Sequence, residues 1–476
     1  SLSLLSQTLR EWAWAGNTEF DIINVCSDKS VGKDPEDMST SDAPFLVTSE
    51  TEEIESFLRR PNSKVVFCTY HSSSLIAAAQ SKKSVPAFDL VIADEAHRCA
   101  GKVQSDFANI LDEKNIRSNK RLFTTATPRI IGESKKRAAK DRDIDLVDMN
   151  DTSIFGKVMH KLSFGEAIHY EPEPLLNDYQ AVIIGVDEPT VNRWIKDYEI
   201  VDIGDGKPTD ARTLAAKIAL IKVIKDFDLK RVISFHSSIQ NAKSFSETFQ
   251  DTIGFVDRKE RPDGSIMSDY VSGKMRTSDR KAKITRLKKL SEFDRGLLSN
   301  AKCLSEGVDV PSLDGVAFID PKGSQVDIIQ SVGRAIRKVR GARTQTKGTI
   351  VLPVFLENAD SPEDVIQKSN FKPIWSVLRA LKSHDDELSD KLDKYRLSLG
   401  KYPNTNREKI SDKIIFDLPI SIDVEFSNAL RTVLVEATTE SWQFWFGLLE
   451  NFVDQNKTAR VPSKHVTEDG YHLGVW

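Results

Sequence analysis

The chain has 476 residues, 39% apolar and 29% charged, a composition typical of a soluble globular protein with about three domains. Its net charge of −4 gives no global attraction to nucleic acid or anionic membrane, so any such binding must come from local basic clusters. Four scattered cysteines without a CxxC pair argue against a zinc module or disulfide framework and favour a reducing, cytoplasmic setting. No apolar run has the length of a membrane-spanning helix, so we expect no membrane partner.

Helix and strand signals alternate through the first 160 residues. Apolar residues at helical spacing predict a helix over 1–15, and a polar loop near 28–44 precedes a second helix over 50–60. Short apolar runs predict strands at 21–26, 64–69, 88–93 and 121–127. This alternation is typical of a parallel α/β domain, which we place at residues 1–160.

The predicted strand over 88–93 carries the most chemical information. Its nearly continuous apolar sequence predicts a strand buried on both faces of a parallel sheet. Asp94 and Glu95 follow at its carboxyl end, the edge where open α/β sheets bind ligands. One carboxylate there would hold a divalent metal while the other activates a water for attack on a phosphate. The alternative is a strand that ends in a solvated acidic turn.

A second α/β domain is predicted at 179–358, after a linker at 161–178. Its predicted strands lie at 179–186, 231–236, 315–320 and 348–355, with a helix over 214–227. Beyond it we expect a helical connector at 359–437 and a small aromatic-rich unit at 438–476. The predicted fold class is therefore α/β, with two tandem parallel-sheet domains followed by an α-helical C-terminal region.

Four short motifs follow one another along these domains. They are Asp94–His97 (DEAH), Thr125–Thr127 (TAT), Leu304–Pro311 (LSEGVDVP) and Gln330–Arg337 (QSVGRAIR). In this order they resemble the Walker B box, the coupling motif, motif V and motif VI of superfamily 2 helicases, in the DEAH-box and type III restriction-motor branch. The resemblance covers nearly the whole chain and implies that both α/β domains are RecA-like.

The resemblance also implies roles for single residues, with ATP and Mg²⁺ as cofactors. Asp94 holds the metal, and Glu95 orients and deprotonates the attacking water. Arg334 and Arg337, expected one helical turn apart, stabilise negative charge at the γ-phosphate. The remaining implied residues are nucleotide contacts, namely Gly307, Asp309, Gln330 and Gly333, and coupling residues, namely His97, Thr125 and Thr127. The alternatives are a solvated basic helix for the arginines and locally bonded polar turns for the coupling residues.

A nucleic-acid partner is implied as well, with DNA favoured over RNA. By resemblance its contacts include Ser3, Thr69 and Ser237, whose hydroxyl groups would grip phosphates without reading sequence. Eight basic residues between 274 and 289, opposed only by Asp279, form either an electrostatic track or a solvated helix face. They are Lys274, Arg276, Arg280, Lys281, Lys283, Arg286, Lys288 and Lys289.

The C-terminal segment resembles part of a bacterial helicase-associated domain, through residues that include Trp445, Leu448, Phe452 and Gly470–Trp476. The alternative for these residues is the aromatic core of a plain helical domain, and both interpretations are compatible.

One motif of the family does not occur in the sequence: there is no phosphate-binding GxxxxGK[ST]. In the family this loop precedes the segment with which the chain begins, so we expect a fragment whose first domain is partial and which alone hydrolyses almost no ATP. The intact protein is expected to be an ATP-dependent helicase or translocase. The alternatives are the motor subunit of a restriction-type complex and a nucleic-acid-binding protein without ATPase activity.

Overall fold

The protein is described by a computed structural model that covers two compact units. The described residues are 20–26, 47–102, 106–131, 136–137, 140, 146–197, 211–256, 258–291, 293–301, 313–320, 325–338, 347–357, 364–366, 371–402, 410–419 and 424–476. The first unit comprises residues 1–161, 272–281 and 303–309, and the second comprises 162–271, 282–302 and 310–476. The helix predicted over 1–15 lies outside the described residues.

The first unit contains short sheets, most of them parallel, with helices packed against them. Its strands are β1 (Asp21–Val25), β2 (Val47–Thr48), β3 (Lys64–Cys68), β4 (Phe88–Ala93), β5 (Gly101–Lys102), β6 (Ser118–Phe123) and β7 (Leu146–Val147). Its α-helices are α1 (Thr51–Leu58), α2 (Ser73–Gln80) and α3 (Thr152–Phe155), and 3-10 turns lie at Tyr70–Ser72, Ala96–Arg98 and Asp106–Leu111. The strand order is β2-β1-β3 in one sheet, β4 pairs with β6 in parallel, and β5 pairs with β7 antiparallel.

Helix α1 shows how the apolar pattern builds this unit. Ile54, Phe57 and Leu58 have the i, i+3, i+4 spacing of one helix face, and all three are buried. They join one apolar cluster with Ile23 and Val25 of β1. Burial of side chains of this size contributes about 1.5–3 kcal/mol each.

Strand β4 is not buried on both faces, and that prediction is wrong. Leu90 is 50% exposed and Ile92 is 43% exposed, whereas Ala93 is buried. Among the described residues β6 is the only strand paired with β4, and no described element covers the face that carries Leu90 and Ile92. The sequence of β4 has the apolar character of a strand covered on both faces, but the side chains on one of its faces are exposed.

The second unit is built on a seven-stranded sheet. Its strands are β8 (Tyr179–Asp187), β9 (Arg231–Phe235), β10 (Ile266–Ser272), β11 (Arg295–Ala301), β12 (Gly315–Phe318), β13 (Gly348–Leu356) and β14 (Ile414–Asp417). The strand order is β10-β11-β9-β12-β13-β8-β14, and each neighbouring pair from β11 to β14 is parallel. Strand β8 is buried along nearly its whole length, as expected for a strand inside a covered parallel sheet.

Helices surround this sheet and continue beyond it. They are α4 (Phe164–Ile168), α5 (Glu188–Asp197), α6 (Ala211–Asp226), α7 (Ile239–Phe255), α8 (Thr277–Lys288, divided between the units), α9 (Gln325–Ala335), α10 (Lys372–His384), α11 (Asp386–Lys401), α12 (Val424–Thr438) and α13 (Ser441–Asn456). Within the described residues, no helix is both long and apolar enough for a bilayer crossing. Within the stretch 359–437, predicted as a helical connector, the described residues form α10, α11 and most of α12 and also supply β14 to the sheet.

A glycine pair fixes the packing of α13 against α11. A Cβ atom on Gly400 would lie 2.1 Å from the Phe444 carbonyl oxygen, and one on Gly447 would lie 2.1 Å from that of Leu397. Only glycine permits so close an approach of two helix backbones. The aromatic-rich C-terminal segment packs around Leu448, Phe452 and Leu473. Its residues therefore form an apolar core, which is compatible with a further role.

Candidate functional site

The Asp94 motif lies where two parallel strands end together. Ala93 of β4 is in register with Phe123 of β6, so Asp94 and Thr124 are the next residues on adjacent strands. The ladder continues past the strands, because the Thr124 N–H donates to the Ala93 carbonyl at 2.9 Å and the Ala96 N–H to the Thr124 carbonyl at 2.9 Å. This is the carboxyl edge at which parallel sheets position ligands.

Asp94 has one carboxylate oxygen engaged and one available. Oδ1 accepts the Glu95 N–H at 3.0 Å and the Thr124 hydroxyl at 3.0 Å. Oδ2 accepts no hydrogen bond from any described residue, and the side chain is exposed. No cluster of three His, Cys, Asp or Glu side chains suited to a metal occurs among the described residues. A single free carboxylate fits Mg²⁺, which keeps most of its waters and takes few protein ligands.

Glu95 has a left-handed backbone, with φ of 53° and ψ of 43°. A non-glycine residue there costs about 1–2 kcal/mol. The conformation ends β4 abruptly and begins the turn Ala96–Arg98, which carries His97. The Oε2 atom of Glu95 lies 3.4 Å from Nδ1 of His97, which is 8% exposed.

His97 joins Glu95 to the TAT motif. Its Nδ1 atom also lies 3.0 Å from the Thr125 hydroxyl, and that hydroxyl accepts the Thr127 N–H at 3.2 Å. With a proton on Nδ1, the ring donates to the Thr125 hydroxyl; without it, the Thr125 hydroxyl donates to the ring. The structure therefore brings Asp94, Glu95, His97, Thr125 and Thr127 together.

The Thr127 hydroxyl is buried and makes no hydrogen bond to a described residue. The residue is 5% exposed, and its Oγ1 atom has no hydrogen-bond partner among the described residues. A buried hydroxyl without a hydrogen-bond partner lowers the free energy of unfolding by about 1–3 kcal/mol. Such a hydroxyl is therefore a candidate to bond with a ligand, or with a protein group in another conformation.

Thr69 lies in a turn directly after β3. Its hydroxyl donates to Ser72 at 3.1 Å, and the Ser72 N–H donates to the Thr69 carbonyl at 3.0 Å. The next residue, Tyr70, reaches the Asp94 motif, because its hydroxyl donates to the Asp94 carbonyl at 2.7 Å.

The motif VI residues of the second unit are only partly on one helix. Gln330, Gly333 and Arg334 lie on α9, but α9 ends at Ala335. Arg337 instead forms an isolated antiparallel bridge with Leu176, and the Asn177 N–H donates to the Ile336 carbonyl at 2.8 Å. The expectation that Arg334 and Arg337 are one helical turn apart is therefore wrong, because pairing with 176–177 draws the chain out of the helix.

Gly333 leaves open space on α9. A Cβ atom built there would meet nothing within 4 Å, so no packing among the described residues requires glycine at this position. The space is compatible with the close approach of a ligand to the helix backbone.

Ser237 is held by a carboxylate that the sequence analysis did not single out. Asp320 follows β12, accepts the Ser237 hydroxyl at 2.6 Å and its N–H at 3.1 Å, and accepts the Asn241 amide at 2.6 Å. Nδ1 of His236 lies 3.3 Å from Asp320 Oδ1. Burial alone would raise the pKa of Asp320, but the hydrogen bonds from His236, Ser237 and Asn241 outweigh it and lower that pKa.

The basic stretch is partly committed to the fold. Arg280 is 3% exposed, and Lys283 and Arg286 lie 2.5 and 3.9 Å from the carboxylate of Asp269. Lys274, Arg276, Lys281, Arg286 and Lys289 are exposed. The stretch thus consists mainly of α8, which has buried and exposed basic residues, and fewer than eight of its charges are open to a partner.

Three predicted site residues, Ser3, Gly307 and Asp309, lie outside the described residues. Conversely, Tyr70, Thr124 and Asp320 contact site residues but were not predicted to do so. For Asp320 a signal was present, because it follows an apolar strand as Asp94 does.

Two family models match the chain. Residues 1–130 match "Type III restriction enzyme, res subunit", and residues 216–339 match "Helicase conserved C-terminal domain". The first covers the Asp94 and Thr125 motifs, and the second covers Ser237, Asp320 and motif VI.

Known proteins extend this similarity over the whole chain. The "Probable helicase A859L" of African swine fever virus is 26% identical over 397 residues, which are 82% of this chain and 38% of that protein. The solved structure of the ATP-dependent type ISP restriction-modification enzyme LlaBIII bound to DNA is 25% identical with a TM-score of 0.72, over 100% of this chain and 33% of that one. The type ISP enzyme LlaGI, 22% identical with a TM-score of 0.55 over 96% and 29% of the two chains, shares the fold. The chain thus spans about two fifths or less of these proteins' lengths.

Proposed function

We propose that the whole protein is an ATP-driven helicase or translocase acting on nucleic acid. The premise is that this chain belongs to the superfamily 2 helicases of the type III restriction-enzyme branch. The chain has the two RecA-like α/β domains and the helical C-terminal region of that family. The observation that carries the proposal is the cluster of Asp94, Glu95, His97 and Thr125 at one sheet edge.

The roles of Asp94 and Glu95 are supported by their contacts, and those of the other residues by the family resemblance. When bound, Mg²⁺ and ATP supply the phosphoryl group and the positive charge that offsets its oxygens. Asp94 offers Oδ2 to the metal, while Thr124 and the Glu95 N–H hold Oδ1 in place. We assign Glu95 the role of accepting a proton from the attacking water. By the family resemblance we assign Arg334 and Arg337 the role of stabilising negative charge on the phosphates. By the same resemblance we assign nucleotide contact to Gln330 and Gly333 of α9 and to Gly307 and Asp309 of motif V.

His97, Thr125 and Thr127 report the state of the site. A movement of Glu95, whose Oε2 lies 3.4 Å from Nδ1 of His97, shifts that ring and with it the Thr125 hydroxyl to which Nδ1 is hydrogen-bonded. The consequence reaches the Thr127 backbone, which donates to Thr125. We assign these three residues to coupling on this ground.

We assign nucleic-acid contact to Ser3, Thr69 and Ser237, with DNA favoured over RNA. The preference for DNA is supported by the similarity over the full chain to the DNA-bound LlaBIII enzyme. That similarity also favours a second candidate function, the motor of a restriction-type complex. The two functions differ in outcome, because a helicase separates the strands of a duplex, whereas a motor that only translocates displaces a bound obstacle and leaves the duplex paired.

The test is ATP hydrolysis by the whole protein with and without single-stranded DNA. We expect DNA to stimulate turnover, and Glu95→Gln to lower kcat at least about 100-fold while ATP still binds, because an amide accepts no proton. Arg337→Ala should lower kcat to a similar extent. Glu113→Gln, an exposed Glu-to-Gln control in the same unit, should leave turnover unchanged.

Two outcomes would contradict the proposal. DNA binding without any ATP hydrolysis by the wild-type protein would favour a non-catalytic nucleic-acid-binding protein. Wild-type turnover in Glu95→Gln or Arg337→Ala would refute the role given to that residue. Duplex-unwinding and obstacle-displacement assays on the same protein then separate the helicase from the restriction motor.

A further inference from the structure

Tyr70 connects two parts of the first unit that are 24 residues apart in sequence. It lies in the turn Tyr70–Ser72, between Thr69 and His71, and its hydroxyl donates to the backbone carbonyl of Asp94 at 2.7 Å. A side chain of the predicted nucleic-acid loop therefore ends on the backbone of the catalytic motif.

The peptide group that Tyr70 contacts is held at both ends. Its carbonyl, from Asp94, accepts the Tyr70 hydroxyl, and its N–H, from Glu95, donates to Asp94 Oδ1 at 3.0 Å. Rotating this peptide group would change φ of Glu95, and such a rotation is the direct way to relieve its left-handed conformation. The Tyr70 hydrogen bond opposes the rotation. It therefore helps to keep the Glu95 backbone in its left-handed conformation, which sets the position of the carboxylate.

The tyrosine is itself held in place by aromatic packing. Its ring centroid lies 5.4 Å from that of Phe107, and the exposed His71 meets the same Phe107 ring edge-on at 4.7 Å. Burial, with Cys99 adding to it, raises the pKa of Tyr70 far above its ordinary range. The phenol therefore stays protonated at working pH and remains a donor.

We propose that Tyr70 is a positioning residue through which nucleic acid bound at the Thr69–Ser72 turn sets the orientation of the Asp94–Glu95 peptide group. This inference rests on the proposed ATP-dependent function. Because Thr69, Tyr70, His71 and Ser72 form one short hydrogen-bonded turn, a phosphate held by its exposed side moves or stiffens all four residues together. The hydroxyl of Tyr70 passes that change to the residue that activates the water.

The experiment compares Tyr70→Phe with Tyr170→Phe in the whole protein. Tyr70→Phe keeps the ring on Phe107 and removes only the hydroxyl, with its hydrogen bond to the Asp94 carbonyl and its contact with Cys99. Tyr170 is 47% exposed and lies outside the site. We expect Tyr70→Phe to lower the ratio of DNA-stimulated to basal kcat about fivefold, the factor that one hydrogen bond is worth. KM for ATP, Kd for single-stranded DNA and Tm should stay near wild type, and Tyr170→Phe should match wild type throughout.

A second measurement does not depend on turnover. Single-stranded DNA should slow amide hydrogen exchange at residues 93–99 in the wild type and in Tyr170→Phe, but not in Tyr70→Phe. An unchanged stimulation ratio in Tyr70→Phe overturns the inference, and so does an equal fall of basal and stimulated kcat with a lower Tm, which is a merely structural effect. If the wild type hydrolyses no ATP, the proposed function fails; the exchange data then still decide whether Tyr70 transmits DNA binding to Asp94–Glu95.

Discussion

Glu95 carries both backbone strain and an acid at the centre of the candidate site. Among the described residues only Asp228 and Lys457 share its positive φ without being glycine. Lys457 follows the last turn of α13, where the left-handed conformation commonly ends a helix. Glu95 instead follows a strand and lies next to the carboxylate of Asp94. Strain of this kind persists only where the surrounding structure holds it, as Tyr70 and Asp94 do here.

We predict that Glu95→Gly makes the protein more stable and inactive at once. Glycine relieves the left-handed strain and removes a charge next to Asp94, so the free energy of unfolding should rise by up to about 1 kcal/mol after the entropy cost of glycine is deducted. Denaturant unfolding measures the change, and ATPase assays should show no turnover.

Lys457→Gly is the matched control for this prediction. It changes the same backbone conformation at the end of a helix, so it should raise stability by a similar amount and leave turnover unaltered. A loss of stability in Glu95→Gly would show that Glu95 side-chain contacts outweigh the strain.

At this scale local sequence predicted part of the site. Asp94 and Glu95 could be predicted as site residues because an apolar strand sequence followed directly by two acids is a local pattern, contained in residues 88–95. The contact of Tyr70 with Asp94 could not, since it depends on the turn after β3 and on the packing of Phe107. Asp320 could have been found by the rule that identified Asp94, and its hold on Ser237 required the structure.

A buried ion cluster joins several elements of the second unit. Asp385, which is fully buried, accepts the hydroxyl of Tyr179 on β8 at 2.7 Å and the ammonium of Lys413 at 2.8 Å. Its other oxygen caps α11 through the Leu388 N–H at 3.1 Å. Burial alone would lower the pKa of Lys413, but hydrogen bonds with Asp385 and Glu387 outweigh it and raise that pKa. The cluster therefore fixes α11 and the segment before β14 to the sheet.

We predict that Lys413→Ala destabilises the protein by about 3–5 kcal/mol, because it leaves the buried Asp385 charge without its ammonium partner. The measurement is chemical unfolding monitored by circular dichroism. Lys347→Ala is the matched control, since Lys347 is 53% exposed in its pair with Asp178 and should contribute less than about 1 kcal/mol. Equal effects of the two substitutions would contradict the structural role of the cluster.

Elements with strong local patterns were predicted well, and non-local ones were not. Strands β8 and β9 and helix α6 lie within a few residues of their predicted bounds. The end of α9 at Ala335 was missed because helical periodicity continues through Arg337, while residues 176–177 that end it are far away in sequence. Strand β14 was missed for the same reason, since four residues become a strand only beside β8.

For the whole molecule, net charge and its distribution govern contact with nucleic acid. A chain of net charge −4 binds phosphates only through local positive surface, and the segment 274–289 is its densest basic stretch. Arg280 is buried and Lys283 is paired with Asp269, whereas five residues of the stretch are exposed. These are Lys274, Arg276, Lys281, Arg286 and Lys289, of which three are lysines.

We predict that replacing these three lysines by Gln reduces the salt dependence of duplex-DNA binding. Each phosphate contact contributes about 0.9 to the slope of log K against log salt, so the slope should fall by about 2–3. Arg280→Gln, in the same helix, should lower stability and leave the slope unchanged. If the triple variant keeps the wild-type slope, the stretch is a solvated helix face.

The position of β14 has a consequence for where the second unit ends. The matched family region stops at 339, yet β13 and β14 complete the sheet as far as 417. Shortening the chain to the family boundary would strip β8 of both its neighbours and expose a row of unpaired backbone amides and carbonyls on a strand of buried character. Such an edge pairs readily with another molecule, so a chain shortened in this way would aggregate although every motif upstream of the cut is present.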